Sequence, residues 1–156
     1  MHLRRVVPFI SISVYINRYL YKFLILNKKI LFVCVENAGR SQMAEGFFQK
    51  YNPTGFESQS AGTNPVDAVN PLVVEAMREI GINISAQKPK TISDSMIRQA
   101  AKIVNMGCMG KESCPALFVN DVIEWSIPDP KGKPLEEVRK IRDLIDKRIQ
   151  ELCKTL

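Results

Sequence analysis

The chain of 156 residues is 46% hydrophobic and 24% charged, enough for one domain with a proper core. Its net charge of +6 is unevenly placed: Arg4, Arg5, Arg18, Lys22, Lys28 and Lys29 stand among the first 29 residues without an acid, and the rest of the chain balances its charges. That balance excludes an electrostatic nucleic-acid binder, so no nucleic-acid partner is expected of the body of the chain.

Residues 1–28 read as a basic, apolar extension. Val6 to Leu26 is apolar, but Pro8, Asn17, Arg18 and Lys22 interrupt it. A central arginine and lysine each cost roughly 2.5–3.5 kcal/mol on insertion scales, which argues against a membrane span. No small-residue cleavage site precedes Lys28, which argues against a secretory leader. On a helix Ser11, Tyr15, Arg18 and Lys22 would share a face, which leaves a surface-lying amphipathic helix open. The plainer expectation is a dispensable extension, or a start assigned too early, ahead of a catalytic domain at 29–156.

From Lys29 short apolar runs alternate with helical stretches. Strands are expected at Ile30 to Val33, Phe56 to Ser60, Ile103 to Met106 and Val122 to Trp125. Helices are expected at Arg40 to Tyr51, at Pro71 to Ile80 with Asn70 as N-cap, and at Ser95 to Ala101 behind Ser93 or Asp94. A last helix, Pro134 to Leu152, puts Leu135, Val138, Ile141, Leu144, Ile145, Ile149 and Leu152 on one stripe, with Glu136/Lys140 and Asp143/Lys147 pairs outside. The alternation implies an α/β domain with a four-stranded parallel sheet covered on both faces, three layers in all. Ligands of such sheets sit at the carboxyl ends of the strands, and Cys34, Cys108 and Asp129 each fall just past one.

The segment Cys34-Val35-Glu36-Asn37-Ala38-Gly39-Arg40-Ser41 follows the first strand and opens the first helix. Such a loop aims backbone N–H groups at one point, and the helix dipole adds positive potential there, so residues 35–41 are expected to cradle a tetrahedral oxyanion. Cysteine at the mouth of such a cradle is held as a thiolate nucleophile, which assigns that role to Cys34. The guanidinium fork of Arg40 suits phosphate or arsenate oxygens. Gly39 is expected to supply a positive φ, Asn37 a left-handed turn or a bond that keeps the loop preformed, and Ser41 a hydroxyl directed at Cys34. Glu36 is the odd member: pointing outward it is harmless, pointing inward it repels dianions.

Cys34, Asn37, Arg40 and Ser41 match the nucleophile loop Cys-x2-Asn-x2-Arg-Ser, and on these residues the chain resembles the low-molecular-weight protein tyrosine phosphatase family. Ser60-Ala61-Gly62-Thr63, Asn70-Pro71 and Asp129-Pro130 extend the resemblance over most of 29–156. It implies the low-molecular-weight phosphatase, flavodoxin-like fold, and makes Asp129 the general acid. Two branches of the family share the loop. Lys131-Gly132-Lys133 stands where tyrosine phosphatases carry stacking aromatics, and Gln42-Met43-Ala44-Glu45 resembles the arsenate reductase branch. Cys108 and Cys114 supply the further thiols that a reductase needs and a phosphatase does not, because reducing arsenate takes two electrons that end in a disulfide.

The reading is therefore a cytoplasmic arsenate reductase: Cys34 attacks arsenate, Cys108 attacks Cys34 and releases arsenite, and Cys114 completes a Cys108–Cys114 disulfide. The resemblance implies thioredoxin, or another dithiol, as reductant. A phosphatase acting on phosphotyrosine or small phosphate esters is the alternative, and a non-catalytic oxyanion-binding protein a third. No cofactor is expected. No metal site is expected either, since only His2 could add an imidazole to the thiols. Cys153 is expected to be inert or surface-exposed.

Overall fold

The computed structural model describes residues 28–53, 55–107 and 122–156. The expectations for residues 1–27, for Cys108 and for Cys114 lie outside the described residues. Within them the chain runs β1 (Lys28–Cys34), α1 (Arg40–Tyr51), β2 (Phe56–Gly62), α2 (Pro71–Arg78), α3 (Asp94–Gln99), β3 (Ala100–Asn105), β4 (Val122–Glu124) and α4 (Leu135–Cys153). No helix among the described residues is long and apolar enough to cross a membrane.

The strands form one parallel sheet in the order β2-β1-β3-β4, which puts the most apolar strand, β1, in the interior. Ile30, Phe32 and Cys34 pack with α1, α2 and α4, whereas Leu31 and Val33 pack with Ile97 of α3 and Ile103. The period of two along a strand thus divides one continuous apolar run between both faces of the sheet, as the three-layer expectation requires. On α4 Val138, Ile141, Ile145, Ile149 and Leu152 are buried, each contributing about 1.5–3 kcal/mol of apolar burial at most.

Several boundaries differ from expectation. Ala100 and Ala101, expected in a helix, belong to β3 because Ala100 pairs with Lys29; a register irregularity follows, and Ile30 faces Lys102. Pairing with a neighbouring strand outweighs the helix propensity of alanine here. Met106, expected in that strand, follows it, and α2 ends two residues early at Arg78. On α4 the expected i,i+4 pairs are exchanged: Lys140 bonds Glu137, Arg139 bonds Glu136, and Asp143 takes the neighbouring Arg142.

The registers matter for function. Cys34 pairs with Gly62, Val33 with Asn105, and Asn105 with Glu124, so all four strands end at one edge of the sheet. The segments that follow them converge there.

Candidate active site

The loop from Cys34 into α1 is turned inside out by its neighbours. The carbonyls of Cys34, Val35, Glu36 and Ala38 accept from the N–H groups of Thr63, Asn64, Val66 and Asn70 at 2.9–3.2 Å. Gln42 Nε2 donates to the carbonyl of Asn37 at 2.8 Å, and Met43 N–H to that of Gly39 at 3.0 Å. In a planar trans peptide the N–H opposes the C=O. Fixing these carbonyls outward therefore turns the N–H groups of residues 35–40 inward, beside the N-terminus of α1, which is the arrangement that holds an oxyanion.

The positive φ expected of Gly39 belongs to Asn37, at 49°, while Gly39 has φ −139°. Asparagine tolerates that left-handed conformation, and its side chain exploits it. Lys90 N–H donates to Asn37 Oδ1 at 2.8 Å, which leaves Asn37 Nδ2 to donate to Ser41 Oγ at 2.7 Å. Ser41 Oγ in turn lies 3.0 Å from Cys34 Sγ. A thiolate sulfur only accepts, so against it the serine hydroxyl donates and the chain runs in one direction. Asn37, Ser41 and Gln42 are fully buried, so this chain is shielded from competing water.

Gly39 is glycine for a different reason: a Cβ there would stand 2.5 Å from Pro130 Cγ. Glycine lets the loop after β4 close on the cradle. That loop brings Asp129, whose Oδ2 accepts from Arg40 NH2 at 2.8 Å and whose Oδ1 accepts Lys131 N–H at 2.9 Å. Arg40 also donates to Ile127 O at 3.4 Å. Its guanidinium rests on Gly107, at φ 102°, where a Cβ would meet Arg40 NH1 at 2.4 Å. Only 10% of the Arg40 side chain is exposed, against a half-exposed carboxylate partner, and the paired guanidinium costs less than a lone buried charge would.

Cys34, Glu36, Ala38, Gly39, Arg40 and Asp129 line an open pocket of about 260 Å³, completed by Val66, Ala68, Asn70, Pro130 and Lys131. Those lining residues are aliphatic or polar; none is aromatic. Glu36 lines it too, and it forms an ion pair with Lys131 from the opposite loop. The described part of the site therefore brings together Cys34, Arg40, Asp129 and residues 35–41. Gly107, which precedes Cys108, touches Arg40, while Cys108 and Cys114 themselves lie outside the described residues.

Sequence reasoning did not find Lys90, Asn70 or Gln42 as supports of the loop, nor the Glu36–Lys131 pair. Gln42 had a signal: it stands in the first turn of the helix, within reach of the Asn37 carbonyl. Lys90 acts through its backbone 53 residues away, and its side chain stands 3.8 Å from the buried Glu45, which also accepts from Ser60. No local pattern announces either contact.

Residues 29–156 match the family model for low molecular weight phosphotyrosine protein phosphatase. The chain is 38% identical over 130 residues to arsenate reductase 1 of Staphylococcus haemolyticus, covering 83% of this chain and 97% of that protein. It is also 38% identical over 138 residues to an arsenate reductase of Halalkalibacterium halodurans, covering 83% of this chain and 99% of that one. Among solved structures it resembles an arsenate reductase in the phosphate-binding state at TM-score 0.73, 29% identity and 82% and 98% coverage of the two chains. A thioredoxin-dependent arsenate reductase of Corynebacterium glutamicum superposes at TM-score 0.69 and 31% identity, with 94% and 73% coverage.

Proposed function

The chain belongs to the low molecular weight phosphotyrosine protein phosphatase family, and within it we propose an arsenate reductase. The observation that carries this reading is the inverted loop of residues 34–41, which offers inward N–H groups, the Arg40 fork and a hydroxyl aimed at Cys34. The names of relatives at 38% identity favour arsenate as the oxyanion. Val66, Ala68 and Pro130 along the described wall agree, since they give a phenol ring nothing to stack on.

In the proposed reaction Cys34 Sγ attacks the arsenic of arsenate. An S–As bond forms and an As–O bond breaks, the departing oxygen leaving as water with a proton from Asp129. The Cys108 thiolate then attacks Cys34 Sγ: an S–S bond forms, the S–As bond breaks, and its electron pair stays on arsenic, which leaves as arsenite. Cys114 displaces Cys34 to give a Cys108–Cys114 disulfide. A dithiol such as thioredoxin reduces that disulfide and is itself oxidised; the thioredoxin dependence of the Corynebacterium relative supports this partner. Such open thiol chemistry suits the cytoplasm. Within the proposal residues 29–156 are the catalytic domain, and residues 1–28 an extension outside it.

The phosphatase reading keeps one specific support: Asp129 stands on the cradle wall with Arg40, where an ester's leaving oxygen would need its proton. A free-thiol count before and after arsenate, with arsenite assayed in the same tube, separates the two. Loss of two thiols per arsenite, mapped to Cys108 and Cys114, is expected. No thiol loss, alongside hydrolysis of an aryl phosphate, would replace the reductase with a phosphatase.

A further inference from the structure

Two pocket-lining charges, Glu36 and Lys131, take no part in the proposed chemistry. Each lies two residues beyond a reacting group, Glu36 after Cys34 and Lys131 after Asp129. They meet in a direct ion pair between the nucleophile loop and the acid loop. Glu36 raises the pKa of Lys131, chiefly through their hydrogen bond. The same two loops also meet through Arg40 and Asp129 at 2.8 Å and through Pro130 closing on Gly39. The ion pair is thus a further tie from one pocket wall to the other. It is partly open to solvent, with Glu36 26% and Lys131 67% exposed.

The tie bears on size. A free arsenate or phosphate ion has no substituent and fits beneath a closed tie. An ester carries its organic group on the oxygen that points away from Cys34, so that group must leave the pocket between the walls that the pair joins. We infer that the Glu36–Lys131 ion pair is a specificity-determining strap that admits inorganic oxyanions to the cradle and obstructs phosphate esters. The inference deepens the proposed function, resting on the cradle's binding of tetrahedral oxyanions but not on the thiol relay.

The test compares Glu36→Gln and Lys131→Met with the unaltered chain. Two quantities are read for each: kcat/KM for p-nitrophenyl phosphate, and the calorimetric dissociation constant of inorganic phosphate. Neither needs arsenate reduction, so a failed reductase reading leaves the test intact. Both variants should raise ester turnover relative to phosphate affinity, by about threefold to fivefold, the scale of an exposed ion pair. If the unaltered chain hydrolyses no ester, hydrolysis should appear in the variants. The two substitutions change the charge at the pocket in opposite directions. Ratios that move in opposite directions would reduce the pair to simple electrostatics and overturn the strap. An unchanged ratio, or ester turnover that falls in both variants, would overturn it as well, the latter making the pair a support for Asp129.

Discussion

The Asn37 amide donates to Ser41 Oγ across 2.7 Å, and that bond sets which way the serine hydroxyl can point. The Lys90 N–H on Asn37 Oδ1 fixes the amide's orientation from one side, and Cys34 Sγ receives its effect on the other. Ser41 is thereby a donor held ready for a thiolate, in a fully buried setting where the bond is worth more than in water.

Ser41→Ala removes that donor and leaves the loop carbonyls bonded as before. A hydrogen bond to a charged group is worth about 1.5–3 kcal/mol, so the first-turnover rate with arsenate should fall about 10- to 150-fold. Stopped-flow loss of the Cys34 thiol checks it. A rate within threefold of the unaltered chain would remove Ser41 from thiolate stabilisation.

Gly107→Ala puts a Cβ where Arg40 NH1 now sits, at a φ of 102° that alanine adopts poorly. Displacing the guanidinium should weaken inorganic phosphate binding about tenfold or more, and the backbone should cost about 1–2 kcal/mol of stability. Calorimetry and denaturant unfolding measure the two separately. Undiminished phosphate affinity would mean that Arg40 contacts the oxyanion from another position.

Asp129→Asn keeps one oxygen, which serves either Arg40 or the Lys131 N–H but not both, and has no acidic proton to give. Ester hydrolysis should fall about 10²- to 10⁴-fold while phosphate affinity moves far less. Comparable losses in both would make Asp129 a binding group instead of a general acid.

Glu79, at the end of α2, accepts from Arg139 at 2.6 and 2.9 Å and from Arg142 at 3.2 Å on α4. The Arg139 hydrogen bonds, then the charges of Arg139 and Arg142, lower its pKa below the ordinary 4.5. A depressed acid contributes stability above its unfolded value and loses it as pH falls toward the folded one. The thermal midpoint of the unaltered chain should therefore drop more steeply below pH 4.5 than that of Glu79→Gln. Parallel pH profiles would show that the cluster adds no stability.

How much was legible in the sequence depended on distance along the chain. Helix α1 begins and ends where the sequence placed it, Arg40 to Tyr51, because loop, charge and apolar spacing are all local. The Asn70 cap is local too, its side chain accepting from Leu72 N–H two residues on. Gly39 was misjudged because its reason, Pro130, lies 91 residues away. Ala101 went to a strand because β1 was there to pair beside it. Arg142 stands on the apolar stripe of α4, between Val138 and Ile145, and is buried because it donates to the Ala76 carbonyl at 2.8 Å, 66 residues away.

The sequence by itself determined the alternation of strand and helix and the order of thiol, asparagine, glycine, arginine and serine, because backbone preference and side-chain periodicity act between near neighbours. Only the tertiary structure decided which way the loop amides face, what holds Arg40, and that Glu36 answers Lys131. Those outcomes depend on segments that the parallel sheet aligns at one edge, and a chain specifies such meetings through the packing of its whole core.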